Sequence, residues 1–560
     1  MLSANLSFAI AGANVDQALA VRTDAVGNVY ELGTDAVYKF APDGTQVWSA
    51  PYTASWQIGQ KEGIALDSGG NIYITGNFSN GAGSPAKFGS TSLVAAGNTD
   101  GYLVKLDNNG NFLWADSFGG GTGTDAGYAV ATDSAGDAYV TGAFSSNMTI
   151  GSGPNARTLA GGTASSIFVA KFDTSGALQW ANDYVNGNAF GNHGYGIAVD
   201  GQGNAYVTGD FTGAMDFDPA QPNQHVLTTF FGDTFLLKLA ANGNWVWSEK
   251  LNVNTVKGDG RAQGDAIAVD SQGNVYSTGI FGGPADLNPN GGDLITTADF
   301  VFPDAYVLKL NSSGSFSWGA DLQDVSVTNP FGGLQPEDIA VDASGNVYTT
   351  GWYQGVANFD PNGGYLQTST GFRDIYVSAL TNQGSFNWVA TAGESKFDDE
   401  GYGVAVTSAA AGADVYACGV FTGTVNFNSG TGPADNLTAT GAWDGFLWGL
   451  NYFHNQIGGV VWNDQNNDGT RQATEPGVAG VPVQLFAGTP GSGTQVASTV
   501  TDSLGLYSFN SVSVNQSYYV QVSLPPNDTF ATENVGADPT VASNVSAATG
   551  QSPQQVSNNY

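Results

Sequence analysis

Apolar and polar positions alternate through the first 450 residues in runs of four to seven, such as GIAVD, AYVTGDF, TFLLKL and WVWSEK. In FLLKL one face is apolar and Lys238 points to the other. This period of two, with its aromatic and β-branched enrichment, predicts strands. No long segment carries the roughly 3.6-residue period of a helix. Gly, Asn and Asp clusters separate the runs and supply what tight hairpins need, glycine for positive φ.

A repeated phrase, Asp-x-x-Gly-Asn/Asp-x-Tyr-x-x-Gly, organises the runs. It reads DAVGNVYELG from Asp24, DSGGNIYITG from Asp67 and DSAGDAYVTG from Asp133. It returns as DGQGNAYVTG from Asp200, DSQGNVYSTG from Asp270 and DASGNVYTTG from Asp342, with a degraded seventh copy, TSAAAGADVYACG, from Thr407. Successive tyrosines, Tyr30 to Tyr416, are 43, 66, 67, 70, 72 and 68 residues apart. A second phrase, as in GYLVKLDNNGNFLW to Trp114 and IFVAKFDTSGALQW to Trp180, follows each tyrosine, and its last copy stops at Leu450.

Four strands per copy and seven copies predict a β-propeller. The segment NLSFAIAG, Asn5 to Gly12, matches the strand that follows each tryptophan. It is placed to complete the last blade, which closes the ring and removes an exposed edge. The predicted fold class is all-β. A seven-bladed β-propeller occupies residues 1–452, its N-terminal strand closing the last blade, a small β-sandwich occupies 453–548, and a polar tail follows over 549–560. The phrases, in register from residue 5 to 450, resemble the bacterial SBBP β-propeller repeats. That resemblance implies a secreted or cell-surface propeller and no single activity.

Composition narrows the partners. Charged residues are only 11%, and 49 Asp and Glu against 15 Lys and Arg leave a net charge of −34. Clustered Lys and Arg for phosphates are missing, so nucleic acid is not an expected partner. Anionic membrane surfaces are disfavoured for the same reason. Cations, neutral sugars and basic proteins are permitted. Cys418 has no second cysteine to pair with and reads as a small buried apolar residue. No apolar window reaches the ~18 residues of a transmembrane helix, so no membrane insertion is expected. The opening Met-Leu-Ser-Ala-Asn has no basic or apolar leader region, so no signal peptide is expected in the chain.

Tyrosine-to-tryptophan separations are 41, 41, 41, 42 and 40 in copies two to six and 18 in the first. One face therefore carries long loops and a notch above the first blade, and binding is expected there. In MDFDP, ADLNP and ANFDP, the residues Asp216, Asp218, Asp286, Asn288, Asn358 and Asp360 offer oxygens to a cation. The plainer reading is that they cap turns before proline. The Gly-x-x-x-Trp spacing has one residue more than the sialidase Asp box. Ser/His/Asp and Cys/His catalytic sets have no motif here. His193, in GNHGYG, is the histidine placed in a blade-crossing loop of interest.

After Leu450 the pattern becomes IGGVVW, PVQLFA, VASTVTD, LYSFNSV and SYYVQVSL, a length suited to a small sandwich. Within it Asp464, Asn466, Asp468, Gly469, Thr470, Gln472 and Glu475 occupy positions 1, 3, 5, 6, 7, 9 and 12 of a calcium loop pattern. Ca²⁺ takes about 6–8 hard oxygens. Thr470 would give its carbonyl, Gln472 acts through water, and Glu475 can be bidentate. The flanks are strands, so the loop is not an EF-hand. IGGVVWNDQNNDG, EPGVAGVPVQLF and TDSLGLYSF resemble the calcium-binding SdrD B-like repeat of bacterial surface adhesins. The resemblance implies a secreted, rigid, calcium-stabilised stalk. Asp502 is a candidate extra ligand. Related collagen-adhesin B domains can use a Lys–Asn crosslink, but no lysine follows Lys396.

The expected function is a non-enzymatic secreted or cell-surface binding or adhesion scaffold. The propeller would be a monomeric platform for an extracellular glycan or protein, and the sandwich a spacer. The alternative is a carbohydrate-active hydrolase or lyase using acidic residues on the long-loop face. Such an enzyme needs two facing carboxylates. A third reading is a structural surface-layer or matrix component.

Overall fold

The computed structural model describes residues 2–10, 17–54, 62–79, 85–121, 123–162, 164–186, 191–221, 224–253, 261–291, 295–297, 303–326, 333–409, 412–428, 435–453, 457–466, 471–472, 474–509, 517–524, 529 and 555–556. Apart from the short 3-10 turn Gly153–Asn155, the described elements are β-strands. The chain divides into two bodies. One is Ser3–Ser408 with Asp414–Leu450, and the other is Asn451–Tyr560 with Met1–Leu2 and Ala409–Ala413.

In the larger body, seven sheets share a core of four antiparallel strands. The third is typical, with Ala126–Thr132, Ala138–Phe144, Ser166–Phe172 and Leu178–Tyr184 in spatial order. The seventh has Glu400–Ala409, Gly412–Phe421 and Asp444–Phe453, and the N-terminal strand Leu2–Ile10 lies beside the last of these. The long loops are more regular than their sequences suggest. They carry small hairpins, such as Met148–Ile150 with Arg157–Leu159 and Val356–Asn358 with Leu366–Thr368.

The repeat phrase is a turn and a fastening in one. Asp200 Oδ1 accepts the backbone N–H groups of Gln202 (2.9 Å) and Asn204 (3.0 Å). Its Oδ2 accepts Asn204 Nδ2 at 2.8 Å and the Tyr206 hydroxyl at 3.0 Å. Gly203 takes φ +80°, a value that costs a side chain-bearing residue strain. The second phrase reaches the next sheet. Trp114 Nε1 donates to Thr174 O (3.2 Å), and Trp180 Nε1 to Ala241 O (3.0 Å). Lys171 Nζ lies 4.8 Å from the centre of the Tyr139 ring, a stacking repeated by Lys39, Lys105, Lys238 and Lys309.

Between neighbouring sheets the apolar faces meet, as where Tyr73, Phe118, Val140, Phe168 and Met148 form one buried cluster. The first and last copies are neighbours. Thr23 Oγ1 donates to Val406 O (3.3 Å), and Gly403 lies against the backbone of Ala20 and Val21. Cys418 is buried in that junction beside Ala18, Val21 and Tyr416, as a small apolar residue would be.

In the smaller body, Ile457–Val460 pairs with Leu506–Phe509, and a second sheet runs Thr494–Val500, Pro482–Ala487, Ser517–Val522, Gln555–Val556. Val481, Val483, Leu485, Phe509, Tyr518, Val520 and Val522 form its core. Within the expected polar tail, Gln555 and Val556 pair with Tyr518 and Ser517. Polar side chains do not prevent an extended backbone from adding to an open sheet edge.

Candidate functional site

The first strand of five of the sheets is bulged, and the bulges help build the site. Pairing with the second strand slips between Ala18 and Ala20, Gly127 and Ala129, Gly194 and Gly196, Gly264 and Ala266, and Pro336 and Asp338. The residue left over is Leu19, Tyr128, Tyr195, Asp265 or Glu337. A bulged residue leaves the alternating pattern and can be aimed elsewhere. Each stands five positions before the turn aspartate of its repeat, and Glu62 and Tyr402 stand there in the second and seventh copies. All seven line one cavity of about 280 Å³ at the centre of the larger body. Glycine before the bulge permits close approach to the second strand of the preceding sheet. A Cβ on Gly127 or Gly194 would collide with the hydroxyl of Thr75 or Thr141 in the preceding sheet.

The cavity wall is polar and aromatic. Gln263 Nε2 donates to Asp265 Oδ1 (2.7 Å), and Gln335 Nε2 donates to Asp265 Oδ2 (2.8 Å). Arg22 Nη1 pairs with Asp338 Oδ2 at 3.2 Å. Arg373 pairs with Glu400, whose second oxygen accepts the Tyr402 hydroxyl at 2.9 Å. The Arg373 guanidinium lies 4.0 Å over the Trp352 ring. Trp352 ends a second strand and Arg373 precedes a third, so both belong to the long-loop side. Phe372, adjacent to Arg373, is exposed.

Burial shifts the titration of this wall. The Glu62 carboxyl, which accepts the Tyr102 hydroxyl at 3.1 Å, is pushed up to about 8, burial outweighing that bond. Burial also pushes the Tyr128 phenol up to about 12, and Tyr195 and Tyr402 further in the same direction. Tyr195 also feels Asp210, Asp265 and Glu337.

The loop aspartates do not converge. Asp216 Oδ1 accepts Asp218 N–H (3.0 Å), Asp286 Oδ1 accepts Asn288 N–H (2.9 Å), and Asn358 Oδ1 accepts Asp360 N–H (3.2 Å). They cap turns, as the plainer sequence reading had it. The side chains that do converge carry no fixed motif, because the position varies among Leu, Glu, Tyr and Asp from copy to copy. The available signal was that variability itself, one changing position beside an otherwise constant phrase. His193 is also more than a loop residue. It opens the strand His193–Val199, and its ring lies between Ser165 and Asp210.

The expected metal loop lies in the smaller body. Asp464, Asn466, Gln472 and Glu475 are described, while Asp468, Gly469 and Thr470 lie outside the described residues. Glu475 is buried, with Oε1 accepting Gln465 N–H and Oε2 accepting Gln472 N–H, each at 3.0 Å. Asn466 Nδ2 donates to Gln472 Oε1 at 3.4 Å. Two backbone donors thus hold the last carboxylate of the pattern inside its loop. Oxygen donors of this kind fit a hard cation. Among the described residues, no three His, Cys, Asp or Glu side chains are grouped to hold a metal. Asp502 caps its own turn, accepting Leu504 N–H (2.8 Å) and Leu506 N–H (2.9 Å).

These features define an all-β protein with a propeller-like body and a second small β body. Residues 455–559 match the SdrD B-like domain family, and residues 314–351 match the family described as strictosidine synthase-like, N-terminal. Serine-aspartate repeat-containing protein C of Staphylococcus aureus (strain Newman) is 39% identical over 94 residues, 17% of this chain and 10% of that protein. An uncharacterized WD repeat-containing protein, L264 of Acanthamoeba polyphaga mimivirus, is 28% identical over 160 residues, covering 27% of this chain and 11% of that one. The chain therefore spans about a tenth of the length of these relatives. Among solved structures, a polysaccharide lyase described as an ulvan lyase aligns over 73% of this chain and 92% of its own, at TM-score 0.39 and 12% identity. A calcium-binding regucalcin of Agrobacterium tumefaciens aligns over 70% and 92%, at TM-score 0.29 and 11% identity. Among the described residues no helix is long and apolar enough to cross a membrane.

Proposed function

We propose that the chain belongs to an extracellular or cell-surface binding protein. A seven-bladed propeller presents a glycan site in its central cavity, and a calcium-stabilised SdrD B-like sandwich serves as spacer. One observation carries the ligand class. Seven equivalent repeat positions, five of them bulged, bring three phenols, three carboxyl groups and Leu19 to one cavity, beside a tryptophan stacked with an arginine. Carboxylates and phenols hydrogen-bond sugar hydroxyls, and aromatic faces pack on the apolar faces of sugar rings. The surface setting rests on the match of residues 455–559.

Asp464, Asn466, Asp468, Thr470, Gln472 and Glu475 would hold the calcium. The ion would supply positive charge that lets three carboxylates share one short loop. Glu475 prepares that loop by joining its two ends through Gln465 and Gln472.

The test is calorimetric titration of the full chain with a panel of soluble neutral and acidic oligosaccharides, repeated on Trp352→Ala. Saturable binding that the variant loses supports the reading. Binding that survives in the variant removes the cavity from the proposal, and no binding across the panel removes the glycan.

A second reading, a carbohydrate hydrolase or lyase, is favoured by Glu62. A cavity-lining carboxyl held protonated near neutrality is in the state that a general acid requires. Polysaccharide turnover lost in Glu62→Gln would support it over pure binding.

A further inference from the structure

Ser165 Oγ lies 3.2 Å from His193 Nε2, and His193 Nδ1 lies 2.9 Å from Asp210 Oδ1. The three come from different stretches of chain. Ser165 directly precedes the strand Ser166–Phe172, His193 opens His193–Val199, and Asp210 is in Ala205–Phe211. The hydrogen-bond directions are fixed by chemistry. Asp210 as a carboxylate can only accept, so Nδ1 carries the imidazole proton. Nε2 then presents its lone pair, and the Ser165 hydroxyl must donate to it. The Asn192 backbone N–H donates to Ser165 Oγ from the other side at 3.2 Å. We propose that Ser165, His193 and Asp210 form a nucleophile, base and orienting carboxylate that cleave a carboxylic ester, an activity beyond the binding role proposed above and independent of it.

Three observations carry the assignment. The relay is complete in both links, at hydrogen-bond distance. It is reachable, since Ser165, His193 and Asp210 are each only partly buried. Glycine at 191 lets the backbone pass against the pair without a side chain on it, because a Cβ there would lie 2.5 Å from Ser165 Oγ and 2.9 Å from His193 Cε1. The His193 ring is stacked with Tyr195 (centroids 5.2 Å), which in turn packs against Tyr128 (5.4 Å). These aromatic faces line the adjoining cavity and suit the alcohol part of an ester, an acylated sugar among the candidates.

The chemistry balances without a cofactor. Ser165 Oγ bonds to the ester carbonyl carbon while its proton passes to His193 Nε2. The carbonyl π pair moves onto oxygen and returns as the carbon–alkoxy bond breaks. The leaving alkoxide takes the proton from His193. Water then repeats the sequence on the acyl-serine, with His193 as base, releasing the carboxylic acid and restoring Ser165. Asp210 stays ionised throughout and faces the imidazolium.

The experiment exposes the full chain to a fluorophosphonate probe, maps the adduct by mass spectrometry, and follows 4-nitrophenyl acetate hydrolysis. The expected result is an adduct on Ser165, saturable ester turnover, and a loss of about a thousand-fold or more in both rates for His193→Gln. Asp210→Asn lowers them with the fold retained by circular dichroism. Absence of any adduct on Ser165 in the unaltered protein overturns the proposal, with no variant needed. Turnover that persists in a folded Ser165→Ala overturns it as well.

Discussion

Tyr73, in the second sheet, donates its hydroxyl to the carbonyl oxygen of Gly136 in the third, 2.6 Å away. Tyr139 reaches Gly203 in the fourth sheet in the same way, at 3.0 Å. The repeat tyrosine is thus a bond between copies here, while Tyr139 and Tyr206 also bond the turn aspartate of their own copy. Tyr73→Phe keeps the buried ring and strands the carbonyl, so it should lower unfolding free energy by about 1–2 kcal/mol. Tyr38→Phe, where the hydroxyl meets Asp35 in an exposed setting, should cost little. Urea denaturation of the two variants reads the difference, and equal losses would refute the fastening role.

Glu31 is a different case. It is fully buried, and neither carboxylate oxygen has a hydrogen-bond partner. The matching positions hold the uncharged residues Ile74, Val140, Val207, Ser277, Thr349 and Ala417. Burial, reinforced by the charge of Asp35, pushes the Glu31 carboxyl well above its usual range. The folded form then binds a proton that the unfolded form has released. Its contribution is most favourable below about pH 4.5 and is lost as pH rises toward the folded value. Glu31→Val should therefore raise the melting temperature, most strongly at alkaline pH, by the equivalent of about 2 kcal/mol or more. A variant no more stable than its parent at pH 8 would sink the account.

The contrast between Tyr73 and Glu31 shows what the chain reveals without its structure. Tyr73 repeats with a fixed phrase, so the strands, turns and order of the sheets can be read from periodicity and Asp/Gly chemistry. Glu31 breaks a repeat at one copy, and only packing shows that nothing answers its charge. The cavity residues fall between these cases. Tyr128, Asp265 and Glu337 share a register position, but alternation alone would not send them inward. The bulges do, and they lie where a first strand packs on the second strand of the preceding sheet. Ser165, His193 and Asp210 were out of reach because no local motif links three separate strand ends. The candidate calcium loop was legible because all its ligands lie within one short segment.

Glu62 gives the cavity a pH dependence of its own. Its carboxyl rises from 4.5 to about 8 on burial. Being raised, it follows the same sign as Glu31, so stability falls as pH climbs from about 4.5 to about 8. The drop attributable to this group is on the order of a few kcal/mol. Glu62→Gln removes the titration and should flatten the slope over that interval, while retaining an acceptor for the Tyr102 hydroxyl. Melting curves at half-unit pH steps check this. An unchanged slope in the variant would assign the pH dependence elsewhere.

The calcium loop and the Asp502 turn make a last, separable pair. Asp464 opens the loop that Glu475 closes, whereas Asp502 accepts two backbone N–H groups within its own turn. If the loop binds calcium, saturation at about a hundred times Kd adds about 2.7 kcal/mol to the body that contains it. Scanning calorimetry of the full chain should then show one transition that moves up with calcium and falls back with a chelator. Asp464→Ala should abolish that movement. Asp502→Ala should lower the same transition by about 1 kcal/mol with or without calcium, because it loses a turn cap rather than a ligand. A calcium increment that disappears in Asp502→Ala would make Asp502 a ligand after all. A transition that ignores calcium in the unaltered protein would leave Glu475 as a structural staple for its loop and nothing more.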